Sequence, residues 1–86
     1  MTTILVLRVI PEESKTTAYK ATVSEAYATL GEGDVVDVDF YRFLVTEKLV
    51  NMRNDSLHII AELRDDQMIA TFNDAVLAEL GFVKVD

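Results

Sequence analysis

Cysteine and tryptophan are absent from this 86-residue chain, proline and histidine occur once each, and glycine occurs three times. Without cysteine there is no disulfide staple, no thiolate metal site and no cysteine nucleophile. So little glycine and proline excludes a fibrous or low-complexity chain. Bases are scarce as well: eight Lys and Arg stand against fifteen Asp and Glu, a net charge of −7. That balance repels phosphate, so nucleic acid is not an expected partner. It suits contact with basic surfaces. Gly31 and Gly33 lack the lysine and downstream glycine of a phosphate cradle, and no Gly-x-Ser-x-Gly elbow occurs. No cofactor is expected. The apolar run Ile4 to Ile10 is too short to span a bilayer and is interrupted by Arg8. It also lacks the basic leader and small-residue cleavage site of a secretion signal. The expectation is a cytoplasmic protein with no membrane partner.

Apolar residues, in contrast, make up 50% of the chain against 27% charged, too many for intrinsic disorder. At roughly 150 residues per domain, residues 1–86 are expected to form one domain. A domain of this size buries only about 60–65% of its chain surface, so a homo-oligomer or a partner is expected to contribute to stability.

Ile4 to Ile10, closed by Pro11, predicts a strand, with Leu5, Leu7 and Val9 on one face and Ile4, Val6, Arg8 and Ile10 on the other. Apolar character on both faces predicts a central strand. Over 12–30, Tyr19, Val23, Ala26, Tyr27 and Leu30 follow helical spacing and Gly31 is a natural stop, which predicts a long helix. The β-branched Thr16, Thr17, Thr22 and Val23 support a rival reading, in which 16–23 is a strand and a short helix starts at Ser24. After a turn at 31–34, Val36, Val38 and Phe40 alternate with Asp37, Asp39 and Tyr41 and predict a strand to about residue 45. Tyr41, Leu44, Val45, Lys48, Leu49 and Met52 make an equally good helical stripe. No Gly or Pro occurs between Asp34 and Leu80 to build a tight hairpin, so an additional helix near 40–53 is the alternative. Leu57, Ile59, Ala61 and Leu63 predict another strand. Asp65 and Asp66 open a helix with the stripe Ile69, Phe72, Val76 and Leu80, stopped at Gly81. Residues 82–85 form a last short strand.

This order, β-α-β-β-α-β, resembles the ferredoxin-like plan, an α+β two-layer sandwich with both helices on one face of an antiparallel sheet. The resemblance implies an open sheet face on which a second copy could pack. It is a likeness of element order alone and implies no activity.

Candidate functional residues are few. Glu32, Asp34, Asp37 and Asp39 fall within eight residues with no base among them, and the strand period places Asp37 and Asp39 on one face. Hard cations take such oxygen ligands, but the calcium-loop pattern is absent and no metal site is expected. The stripe reads either as a solvated strand face or as a surface that meets Lys or Arg of a partner. Tyr41 is predicted to share that face and to serve binding, whereas Phe40 is predicted to face the helices. His58, the one imidazole, could act as a general base with Glu62 four residues along the same strand, or simply pack on the sheet. With no second catalytic group, the expected function is a small non-catalytic interaction module, an adaptor, regulator or inhibitor, docking on a larger and basic protein through Glu32, Asp34, Asp37, Asp39, Tyr41 and His58. The alternatives are a regulatory domain that binds a small molecule at an oligomer interface and a minimal dimeric enzyme using His58.

Overall fold

In the computed structural model, which describes residues 1–85, strands take 48% of the chain and helices 19%. That ratio replaces the ferredoxin-like sandwich with a mostly β fold. The strands are β1 (Thr2–Val9), β2 (Thr17–Val23), β3 (Val35–Val38), β4 (Tyr41–Asn51), β5 (Ser56–Leu63) and β6 (Val83–Val85). They form one mixed sheet, curled into a half-barrel, in the order β3-β4-β5-β1-β2-β6. Only β1 and β5 run parallel. A 3-10 turn (Glu25–Thr29) and two short helices, α1 (Asp66–Thr71) and α2 (Ala75–Glu79), complete the chain. Among the described residues, no helix is long and apolar enough to cross a membrane.

The central position expected for β1 is observed. Leu5, Leu7 and Val9 are buried, as are their β5 partners Ile59, Ala61 and Leu63. The opposite face, with Ile4, Val6 and Ile60, is half-buried. Burying one face of an alternating strand removes that row of side chains from water and leaves the other row on the surface.

The long helix expected over 12–30 is absent, and the rival reading holds. In β2, Tyr19 and Ala21 face the core while Lys20 and Thr22 are exposed, a period of two that suits β-branched neighbours. Ser24 then caps the 3-10 turn, its hydroxyl accepting from the Ala26 amide at 3.2 Å. Burial pushes the Tyr19 phenol above its ordinary pKa, and the Asp74 carboxylate that it donates to at 3.2 Å adds to the rise.

The alternative helix near 40–53 is absent too. The expected strand to residue 45 is two strands, β3 and β4, joined by a two-residue turn at Asp39 and Phe40. Phe43 and Val45 of β4 face inward. A bulge at Thr46 then shifts the register, so that Lys48 pairs with Ile59 on the core side and Leu49 pairs with His58 on the outer side. One inserted residue turns a period of two into spacings of three and four, which imitates a helical stripe.

The C-terminal helix opens as expected. Asp65 caps α1 by accepting from the Gln67 and Met68 amides. It is interrupted, however, at 72–74, where the Asn73 side chain accepts from the Ala75 amide. Short polar side chains that bond nearby amides compete with a continuing helix. The fully buried residue of this segment is Leu77, while Leu80 of the expected stripe is exposed. Gly81, at φ 90°, ends α2 in a conformation costly for other residues. The Phe82 amide then closes the turn on the Leu77 carbonyl at 2.9 Å.

Candidate functional site

The β3–β4 hairpin carries most of the residues that the sequence singles out, but not in the arrangement expected. A two-residue hairpin loop requires positive φ at both central positions to match the twist of its strands, which is why Asn-Gly is the usual pair. Here the pair is Asp39 at φ 47° and Phe40 at φ 75°. Aspartate tolerates the left-handed region. A bulky side chain there is costly, by about 1–2 kcal/mol. The turn is held by Asp37, whose Oδ1 accepts from the Phe40 amide at 3.1 Å.

Phe40 therefore does not face the helices. It projects from the hairpin tip with 87% of its surface exposed. Asp39 lies in the turn and does not share a strand face with Asp37. Asp37 faces the outer side opposite Arg42. At the other end of β3, Asp34 accepts from the Gly31 amide at 2.7 Å and Glu32 is exposed in the same turn. Two of the four acids thus build turns, and only Asp37 lies within β3, the others standing in the turns at its two ends.

Tyr41 does not share the outer face of Asp37. It pairs with Val38 on the inner side, donates its hydroxyl to the Thr71 carbonyl at 2.6 Å and meets Phe72 edge-on at a centroid distance of 5.0 Å. It ties the hairpin to α1. His58 also stands apart. It faces outward on β5 opposite Leu49, seven positions along β4 from Arg42, roughly 20 Å from Asp37 at ordinary strand rise. Its ring nitrogen bonds the Ser56 hydroxyl at 3.1 Å. Glu62 does not orient it. That carboxylate pairs with Arg8 and Arg64, both at 3.0 Å.

Beside the tip lies a shallow cleft of about 390 Å³ between the hairpin and α2, lined by Asp39, Phe40 and Tyr41 on one side and by Asn73, Ala75, Val76 and Glu79 on the other. It offers an aromatic face and two carboxylates, Asp39 and Glu79. These are the groups that hold a Lys or Arg side chain, through cation–π contact and charge. The sequence contained one hint of Glu79: an acid in the last turn of a predicted helix, where cations are favoured. Phe40 had a hint as well, since a strand of Val36, Val38 and Phe40 continued by Tyr41, Phe43 and Val45 changes parity at 40/41. Among the described residues, no three of His, Asp and Glu gather as a metal-holding group. The chain matches no family model, no curated protein and no solved structure.

Proposed function

We propose that this chain is a small non-catalytic module that docks on a basic surface of a larger protein, as an adaptor, regulator or inhibitor would, with the β3–β4 tip as its anchor. The observation that carries this reading is the phenyl ring of Phe40, almost wholly exposed on a backbone conformation that disfavours it. The fold gains no burial from that ring, and strained residues of this kind cluster at binding sites. Asp39 and Glu79 beside it, and the net charge of −7, complement Lys and Arg and speed encounter with a basic partner. The pairing of Glu62 with two arginines supports the non-catalytic reading, because it engages elsewhere the acid expected to orient His58.

Charge reversal tests the reading. Glu79→Lys alters an exposed carboxylate and is expected to shift stability by no more than about 0.5 kcal/mol, whereas Asp39→Lys, at φ 47°, should cost up to about 1–2 kcal/mol and leave the chain folded. Each should strongly reduce the proteins retained by the immobilised chain from an extract of the cells that encode it. Asp37→Lys should in addition lower stability by about 0.5–1.5 kcal/mol, because its carboxylate holds the turn. Unchanged retention by Asp39→Lys and Glu79→Lys would refute docking through the tip.

Self-association belongs to the same proposal, on the outer sheet face. The ladder Lys20–Val6–Ile60–Glu47 crosses four strands with a cation at one end, a carboxylate at the other and apolar residues between. A two-fold axis between Val6 and Ile60 sets Lys20 against Glu47 of the partner subunit, a self-complementary face. Light scattering at micromolar concentration should give the mass of a dimer, and Ile60→Lys should give that of a monomer. A monomeric wild type excludes this interface.

A further inference from the structure

We infer that the free edge of β3, with the apolar groove beside it, takes an extended segment of a partner protein in which apolar and basic residues alternate. The backbone sets up the edge. The Val45 amide donates to the Asp34 carbonyl at 2.8 Å, and the Val45 carbonyl accepts from the Gly33 amide at 2.9 Å. Bonded positions alternate along an antiparallel pair, so Val36 and Val38 are the residues of β3 that bond β4, opposite Phe43 and Tyr41. The amides and carbonyls of Val35 and Asp37 then point away from the sheet. β3 is the end of the strand order, and among the described residues no backbone bond from another element reaches these groups. Such a row is a template for one more strand.

Alongside this edge runs a groove of about 420 Å³. All four residues of β3 line it, and its floor reaches Leu5 and Val23 on the inner face of β1 and β2. Its far wall is apolar: Tyr27 and Leu30 from the 3-10 segment, Leu80 and Phe82 from the end of α2. Leu80 is 59% exposed, unusual for a leucine beside a core. A strand added to β3 would send every second side chain into this groove and the others outward, because strand side chains alternate. Main-chain bonds would supply affinity and the groove would select apolar residues at alternate positions.

Charge decides the occupant. Asp37 points outward from the edge, opposite Arg42, with Glu32 and Asp34 in the turn before β3 and Asp39 in the turn after it, and no Lys or Arg occurs between Lys20 and Arg42. A second copy aligned by its own β3 would bring these acids against each other, and like charges facing across strands are destabilising. A segment carrying Lys or Arg at its outward positions sets a cation beside Asp37 instead, within reach of the acids in the flanking turns. This inference rests on the reading of the hairpin as a docking element, but it uses the edge and not the tip, so the two fail separately.

The test is amide hydrogen exchange of the full chain, residue by residue, by NMR. The probe is a capped seven-residue peptide alternating lysine and valine; its controls are a peptide of the same composition with lysines and valines in two blocks, and an alternating glutamate–valine peptide. At about ten times its Kd, the alternating lysine peptide should slow exchange at Val35 and Asp37 about tenfold, and the controls should not. Val36 and Val38 should change little, being bonded to β4 already. Leu80→Lys, at an exposed position, should abolish the effect, and Phe40→Gly should preserve it. Equal slowing by the block peptide would reduce the contact to charge alone and overturn the inference. So would the absence of slowing at Val35 and Asp37, or their protection without peptide in a dimer. Retained slowing in a Phe40→Gly protein that still captures its partner fully would spare the edge and defeat the tip.

Discussion

Phe43→Ala is expected to cost about 3–5 kcal/mol of stability, the largest loss from any single substitution discussed for this chain. Phe43 is fully buried on β4, opposite Val36. Its ring meets Phe72 at 6.3 Å, and Phe72 also contacts Tyr41 at 5.0 Å and Tyr19 at 6.2 Å. This aromatic group joins β2 and β4, on either side of the central pair, to the segment between α1 and α2. Removing the ring opens a cavity that the surrounding strands, hydrogen-bonded on both sides, cannot collapse to fill. At about 0.05–0.15 kcal/mol per residue, total stability is roughly 4–13 kcal/mol, so the substitution removes at least about a quarter of it and, at the lower end, all of it. A urea midpoint measures the effect. A loss below about 1 kcal/mol would mean that the ring is not packed as described.

Phe40→Gly, three residues earlier, is expected to act in the opposite direction. Glycine adopts φ near 75° without steric penalty, which relieves about 1–2 kcal/mol. The greater freedom of glycine in the unfolded chain takes back about 0.5–1 kcal/mol. The ring itself is almost fully exposed, so its loss leaves no cavity. The net result is a stabilisation of about 0.5–1 kcal/mol, a rise in melting temperature of a few degrees for a chain of this length. Partner affinity should fall by about 2 kcal/mol or more, the cost of removing an aromatic anchor, which is roughly thirtyfold. A gain in stability coupled to a loss of binding is the signature of a residue retained for recognition.

The sequence made the simplest elements legible. β1 and β5 were readable because β1 is a short apolar run rich in β-branched residues, β5 alternates over most of its length, and each ends at a clear break, Pro11 for one and Asp65–Asp66 for the other. β6 and the cap at Asp65 were readable from local chemistry. The architecture was not, for three physical reasons. In β2, a strand followed directly by a 3-10 turn placed Tyr19, Val23, Ala26, Tyr27 and Leu30 at spacings that a helix also produces. In β4, the bulge at Thr46 changed the parity of the strand, and a change of parity is what separates a strand pattern from a helical one. Between them, the hairpin turned on Asp39 and Phe40 and not on glycine, so the usual turn signal was missing. That last failure coincides with the candidate site. Charge and strand period single out Asp37 and Asp39, but the alternation of Val36, Val38 and Phe40 points the ring to the core, and the change of parity at 40/41 is the one sign of a turn there. Such departures from local rules are expected where function outweighs stability. Tyr41 was chosen for its residue type and proved to anchor α1. Glu79 comes to the site only through the packing of α2 against the hairpin.

The most direct measurement is a quantitative comparison, by mass spectrometry, of the proteins retained from the host cell extract by immobilised wild type and by immobilised Phe40→Gly. A basic protein held by the wild type should be depleted on the variant, although the variant is the more stable of the two. Equal retention of the same proteins on both would contradict a docking role for the hairpin tip.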